Sequence, residues 1–169
     1  MKKLLAIVAL IGLLAVPAFA GDAVDKGTLW ITGEVSVTTQ LDPDEGTEIT
    51  LDAIGNYFVI DNLAVGGELG VTSESDGDTT EYNIGVNVLY AFDLDKAIYP
   101  FVTATVGYMG VSDGGSDSWM YVKAGGGMNW AVKDNIGVRA DLLYNWEDTE
   151  GKATSYLTLL AGFVGIFDL

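Results

Sequence analysis

The stretch that decides the fold is the carboxy-terminal run YLTLLAGFVGIFDL, residues 156–169. Every second residue in this run is apolar or glycine: Leu157, Leu159, Ala161, Phe163, Gly165, Phe167 and Leu169. In a β-strand this alternation places one apolar face along the whole length. A strand this long needs an apolar partner for that face and a neighbouring strand on each edge. We expect lipid to cover the face, and the first and seventh strands of a barrel to pair with the edges.

The amino-terminal stretch MKKLLAIVALIGLLAVPAFA, residues 1–20, has the composition of a secretory signal. Two lysines precede an apolar run that ends in Ala-Phe-Ala, an order typical of a cleavable signal peptide. The alternative is a retained membrane anchor, but the run is short for a spanning helix, which needs about 20 apolar residues. We therefore expect cleavage between Ala20 and Gly21, a short periplasmic lead-in over 21–27 and a barrel over 28–169.

The composition excludes several classes of protein. The chain has 169 residues, with 24 acidic against 8 basic side chains, no histidine and no cysteine. Nucleic-acid binding is not expected, because Lys and Arg must then meet phosphates. Twenty-two glycines, without a long apolar run after the signal, indicate a β-rich chain and not a helical membrane protein.

Seven segments upstream alternate in the same way as the last one. They cover residues 28–38, 49–60, 63–73, 80–92, 99–111, 118–131 and 136–146. Eight strands of about 10–14 residues are long enough to cross a bilayer when tilted. The connections after strands one, three, five and seven are acidic and rich in Gly, Ser and Asp, whereas the others are mostly tight. This asymmetry is typical of outer-membrane barrels, which have long outer loops and short periplasmic turns.

Aromatic residues fall near the strand ends on the apolar face, as expected for two membrane-interface girdles. The periplasmic girdle would contain Tyr57, Tyr90, Phe92, Trp130 and Phe167. The outer girdle would contain Tyr82, Tyr108, Tyr144 and Trp146. The opposite face is mostly polar or glycine, whereas a lipocalin-like soluble barrel shows the reverse, with an apolar interior. The sequence therefore predicts an all-β fold, an eight-stranded antiparallel up-and-down transmembrane barrel.

Two motifs and the final strand carry a family resemblance. YPFVTATVGYMG (99–110) is similar to a fifth-strand entry, and VKDNIGVRADLLY (132–144) to a last periplasmic turn with its seventh strand. With these features the chain resembles the eight-stranded outer-membrane barrels, the OmpA-like transmembrane domains and OmpX-like proteins. The family usually ends on an aromatic residue, whereas here Phe167 stands two residues before Leu169. The resemblance implies location in the outer membrane, contact with its lipids including lipopolysaccharide, and recognition of the final strand by the barrel-assembly machinery.

A set of charged side chains is predicted to share the lumen: Glu34, Asp52, Glu68, Lys123, Arg139 and Asp141. In an eight-stranded barrel strand six faces strand two, so we expect Lys123 to reach Asp52. Strand seven faces strand three, so we expect Arg139 to reach Glu68, with Asp141 beside both cations. Buried charges need such partners, and an eight-stranded interior is just wide enough for side chains to fill. We interpret this lumen charge network as a salt-bridged plug; the alternative is a gated path for ions or small solutes.

No catalytic residue, cofactor or metal site is expected. Eight-stranded outer-membrane enzymes that act on lipid A use histidine, which this chain lacks, and no serine is spaced suggestively near Lys123. The outer loops are acidic, which is consistent with solvated loops, with divalent-cation binding or with an unidentified surface ligand. The stretch DPDEGTE (42–48) lacks the spacing of a calcium loop.

The sequence therefore predicts a role in membrane integrity, adhesion or defence, without enzyme activity. The alternative is a passive channel or carrier for small solutes, as in OmpW-like barrels.

Overall fold

The fold was established from a computed structural model, which describes residues 23–40, 46–74, 80–94, 97–111, 118–133, 135–149 and 152–169. The regular structure of these residues consists of strands β1 Thr28–Gln40, β2 Gly46–Ile60, β3 Leu63–Glu74, β4 Thr80–Ala91, β5 Ile98–Val111, β6 Ser118–Lys133, β7 Ile136–Thr149 and β8 Lys152–Asp168. Within these ranges no helix is long and apolar enough to cross a membrane. The predicted signal peptide and its junction at Ala20 and Gly21 lie outside the described residues.

The strands form a closed antiparallel barrel in sequence order. Each strand pairs with the next, and β8 closes the barrel by pairing with both β7 and β1. At the closing seam Glu34 lies opposite Gly162, and Thr28 lies opposite Asp168. The predicted fold class is confirmed, and so is the role of the last strand as the partner of the first and seventh.

Side chains alternate between the two surfaces of the barrel wall. On β5, Phe101, Thr103 and Thr105 are buried inside, whereas Val102 and Val106 are exposed outside. This is the inside–outside pattern that a sheet with period-two alternation must produce when it closes. The outer surface is the apolar one, as a lipid environment requires.

The strands extend further at their outer ends than the alternation predicts. β2 begins at Gly46 instead of residue 49, and β8 begins at Lys152 instead of residue 156. β7 and β8 pair as far as Thr149 opposite Lys152, so most of the acidic connection expected after strand seven, EDTEGK (147–152), lies in the two strands. Antiparallel pairing uses backbone groups alone, and it therefore continues where the alternation of side chains has ended.

The end of the barrel that carries the tight turns, which is expected to face the periplasm, holds a compact apolar cluster. The Trp30 ring lies edge-on to Phe58 at 5.1 Å and to Tyr99 at 6.2 Å between ring centroids. Ala23 and Val24, which belong to the predicted lead-in over 21–27, are also buried in this cluster, although no feature of their sequence indicates it. A stretch of two apolar residues is too short to show any periodicity.

Candidate functional site: the charged lumen

All the charged side chains that the sequence placed in the lumen are buried there. Their exposed fractions lie between 1% and 9%, and they project from five strands: Glu34 from β1, Asp52 from β2, Glu68 from β3, Lys123 from β6, and Arg139 and Asp141 from β7. The strand alternation alone directs each of them inward, because each has the same parity as its buried neighbours. The ion pairs divide the network into two groups, one centred on Lys123 and one on Arg139.

The Lys123 group ties β6 to β2 and β3 across the lumen. Lys123 Nζ donates a hydrogen bond to Glu68 Oε1 and lies 3.8 Å from Asp52 Oδ2. Asn83 Nδ2 donates to both carboxylates, at 2.9 Å to Glu68 Oε1 and 3.3 Å to Asp52 Oδ1. The Tyr121 hydroxyl is a further donor to Glu68, at 3.4 Å. The structure thus contains the predicted pairing of Lys123 with Asp52, and it adds Glu68 to the same cation.

The Arg139 group lies at the closing seam. Arg139 Nη2 donates to Asp141 Oδ2 at 2.6 Å, and Arg139 Nε donates to both oxygens of Asp141, at 2.9 and 3.0 Å. Arg139 Nε also lies 2.8 Å from Glu34 Oε1. The guanidinium carbon stands 4.3 Å from the centroid of the Phe101 ring, which is within the range of a cation–π contact. This cation is therefore held by two carboxylates and one aromatic face.

The predicted contact between Arg139 and Glu68 was wrong. Arg139 lies opposite Gly162 on β8, and Gly162 lies opposite Glu34 on β1. Because Gly162 has no side chain, Arg139 passes over it and meets Glu34 along the wall instead of crossing the lumen. The partner of Arg139 depends on the register of β7, β8 and β1. The prediction considered only which strands face each other across the barrel, and that does not give the register.

Glycines at other lumen positions make room for long polar side chains in the same manner. Gly85 and Gly107 share a row with Glu68 and Tyr121, and a Cβ at either glycine would collide with Tyr121. Tyr121 therefore lies flat across two strands to reach Glu68. Gly70 separates Asp52 from Asn83 in another row, and the Asn83–Asp52 hydrogen bond passes over it.

Asn83 and Tyr121 are network members that the sequence reasoning missed. Both lie on the lumen-facing parity of their strands, so alternation placed them on the correct face, but neither carries a charge. Their hydrogen bonds to carboxylates are the signal of their role. The sequence alone gives no signal for them, because the glycines beside them are brought into place only by strand pairing.

The predicted girdle residues lie on the outer surface. Seven of them are exposed, namely Tyr57, Tyr82, Tyr90, Phe92, Tyr108, Trp130 and Tyr144, while Trp146 and Phe167 are half-buried. Phe167 is less exposed because its ring packs against Gly165. A Cβ added to Gly165 would lie 2.8 Å from Phe167 Cε2. Tyr90 and Phe92 form an edge-on pair at 5.1 Å between ring centroids. Their role as membrane-interface residues stays a prediction.

The geometry of the network is suited to bracing the barrel wall. Within the described ranges, no group of three or more His, Cys, Asp or Glu side chains could hold a metal ion. The carboxylates are instead turned toward Lys123 and Arg139, which connect strands far apart in sequence. Removing one partner of such a pair is strongly destabilising, because the other charge is then buried without compensation. The two groups therefore favour the one arrangement of the barrel interior in which every charge is paired.

Comparison with known families identifies the chain. Residues 6–167 match the family described as "Outer membrane protein beta-barrel domain". The chain belongs to this family. Membership confirms the resemblance drawn from the two motifs and the final strand, and it places the protein in the outer membrane, in contact with its lipids. No curated protein matches the chain.

Solved structures of the same architecture resemble the chain at low sequence identity. The amino-terminal barrel domain of Pseudomonas aeruginosa OprF has a TM-score of 0.63 and 14% identity, covering 84% of this chain and 98% of that one. Neisserial surface protein A has a TM-score of 0.57 and 19% identity, covering 84% of this chain and 95% of that one. The outer-membrane enzyme PagL has a TM-score of 0.51 and 15% identity, covering 83% and 99%. The likeness shows the fold alone, since the names of these proteins include both a surface protein and an enzyme.

Proposed function

We propose that this outer-membrane barrel has a structural and surface-interaction role, in membrane integrity, adhesion or defence, with a lumen that is closed to solutes. The observation that carries the proposal is the lumen charge network, in which six charged side chains are buried and none is exposed by more than 9%. In this proposal the side chains of Lys123 and Arg139 fill the space that a solute would need. The remaining chemistry of the chain then lies on its lipid-facing wall and in its outer loops.

The acidic outer loops are the surface that we assign to interaction. The stretch 42–45 between β1 and β2 reads DPDE, and 147–150, which includes the outer end of β7, reads EDTE. Such loops repel anionic lipid head groups and attract basic partners or divalent cations, including cations that bridge to lipopolysaccharide phosphates. The final strand, with its apolar outer face, is what we expect the barrel-assembly machinery to recognise. The proposal includes no enzyme activity, and the chain has no histidine.

The test is complementation of a strain that lacks the protein. Asp42→Asn, Asp44→Asn and Glu45→Gln together remove three loop charges, and Tyr121→Phe is the matched lumen variant, which loses one hydroxyl only. We expect deletion to reduce adhesion to a host-cell layer or to raise detergent sensitivity. The loop variant should fail to restore the lost property, whereas Tyr121→Phe should restore it. Gel migration before and after boiling checks that both variants fold to the unmutated level.

The rival function is passive transport of small solutes. It predicts that deletion lowers solute uptake and leaves adhesion and detergent resistance unchanged, an outcome that would refute the surface role. If the charged residues are the plug, single-channel conductance should rise on Lys123→Ala and Arg139→Ala. If they line a selective path, the same changes should alter ion selectivity of a protein that already conducts.

A further inference from the structure

The segment before the first strand lies against the periplasmic end of the barrel. We call residues 23–27, with the sequence AVDKG, the strap. Ala23 and Val24 are 7% and 1% exposed, whereas Asp25 and Lys26 are exposed to solvent. The strap thus has one face turned into the barrel and one face turned toward the periplasm.

The strap is bonded to the turn between β2 and β3. The backbone N–H of Asn62 donates to Val24 O at 2.8 Å, and the backbone N–H of Lys26 donates to Asp61 Oδ1 at 3.0 Å. Asn62 has a φ of 71°, a left-handed conformation that asparagine tolerates better than most residues. Asn62 adopts this conformation within the tight turn, and its own N–H is the group that bonds to the strap. The hairpin therefore presents the strap with donors and acceptors in fixed positions.

The strap is also joined to the second strand and to the residue that follows the last strand. Gly27 N donates to Phe58 O at 2.9 Å, and Gly27 O accepts from Leu169 N at 3.2 Å. Gly27 has a φ of 100°, which a side chain would oppose. Its conformation turns the chain from the strap into β1. Since Leu169 follows the strand that closes the barrel, this last contact forms only when β8 is in place.

Beneath the lumen the strap completes an apolar floor. The indole N–H of Trp30 donates to Ala23 O at 2.6 Å, and Val24 lies in the same buried cluster as Phe58, Tyr99 and Trp30. A buried indole N–H without a partner would be costly, so the strap carbonyl allows the Trp30 ring to be fully buried. The floor and the strap lie on the periplasmic side of the charge network.

We propose that the strap is a periplasmic lid, which seats when β8 closes the barrel and which shields the lumen from the periplasm. This inference goes beyond the surface role and does not depend on it, because it concerns the opposite end of the molecule. It predicts that the buried face of the strap is inaccessible to reagents in the folded barrel, and that the bond to Trp30 helps to keep it seated.

The test is cysteine labelling, for which the cysteine-free chain is suited. Val24→Cys and Lys26→Cys each place one thiol on the strap, the first on its buried face and the second on its exposed face. The refolded barrel is treated with a polyethylene-glycol maleimide, and labelling is followed by the mass shift on a gel. We expect Val24→Cys to react at least tenfold more slowly than Lys26→Cys when folded, and equally fast in urea.

Trp30→Phe in the Val24→Cys background keeps an aromatic ring and removes the N–H donor. Labelling should then rise about fivefold, as expected for the loss of one hydrogen bond. Trp130→Phe is the control, because Trp130 lies on the outer surface, and it should leave the rate unchanged. If Val24→Cys does not fold, Ala23→Cys replaces it as the buried probe. A folded barrel in which the buried probe reacts as fast as Lys26→Cys would overturn the lid.

Discussion

Arg139 is the most heavily bonded charge in the lumen. Its guanidinium pairs with Asp141 and Glu34 and faces the Phe101 ring, while its side chain is 1% exposed. Removal of one partner of a buried pair leaves the other charge uncompensated, and that penalty exceeds the value of the pair itself. Loss of Arg139 is therefore expected to destabilise the barrel mainly because it leaves the carboxylates of Asp141 and Glu34 buried without their cation.

Arg139→Ala should lower the free energy of unfolding by about 3–5 kcal/mol, the usual cost of breaking a buried ion pair. The measurement is a urea titration of the barrel in lipid vesicles, followed by tryptophan fluorescence. Lys133→Ala is the matched control, since Lys133 is exposed at the end of β6 and should change stability by less than about 1 kcal/mol. Equal effects of the two substitutions would show that the Arg139 pairs do not brace the barrel.

At the scale of the elements, glycines on the inner wall determine which polar side chains meet. Gly162 lets Arg139 reach Glu34, and Gly85 with Gly107 lets Tyr121 reach Glu68. Strand pairing sets which residues lie in one row, and the glycines in that row leave the space that a long polar side chain needs. The polar network is therefore as much a property of the glycine positions as of the charged residues.

Gly107→Ala should destabilise the barrel by about 1–3 kcal/mol, the range for inserting an atom into a filled interior. Its Cβ would come within 2.7 Å of both Tyr121 Cε1 and Gly85 Cα. Gly55→Ala is the control, because a Cβ at Gly55 would have no atom within 4 Å, and alanine there should be neutral or slightly stabilising. The same urea titration compares them; a loss of stability for Gly55→Ala as large as that for Gly107→Ala would contradict the proposed use of space.

The number of strands and the side of the wall on which each side chain lies could be predicted from the sequence, because alternation is a local property of each strand. Thus the inward position of Arg139 and the lipid-facing position of Phe163 follow from parity alone. The partner of Arg139 could not be predicted, since it depends on the register of β7, β8 and β1 together. The strap could not be predicted either, because Val24 becomes buried only when distant segments meet beneath it.

At the scale of the whole molecule, the barrel has an apolar outer surface and a charged interior, as a membrane environment requires. Large apolar side chains such as Leu159 and Phe163 are exposed on the outer wall, whereas charged groups are buried inside. The interior is occupied at two levels, by the charge network within the lumen and by the aromatic floor around Trp30 at the periplasmic end. Under the proposed surface role, the outer loops and the lipid-facing wall are the parts of the molecule that meet partners.

Single-channel recording of the unmutated protein in a planar lipid bilayer tests the central claim, a closed lumen, most directly. The barrel is first shown to be folded by its change in gel migration on boiling. We predict no steady conductance above that of the bare bilayer, because the network and the floor fill an interior that is just wide enough for side chains. A substantial, steady conductance from the folded, unmutated protein would contradict the closed lumen and would favour the passive channel.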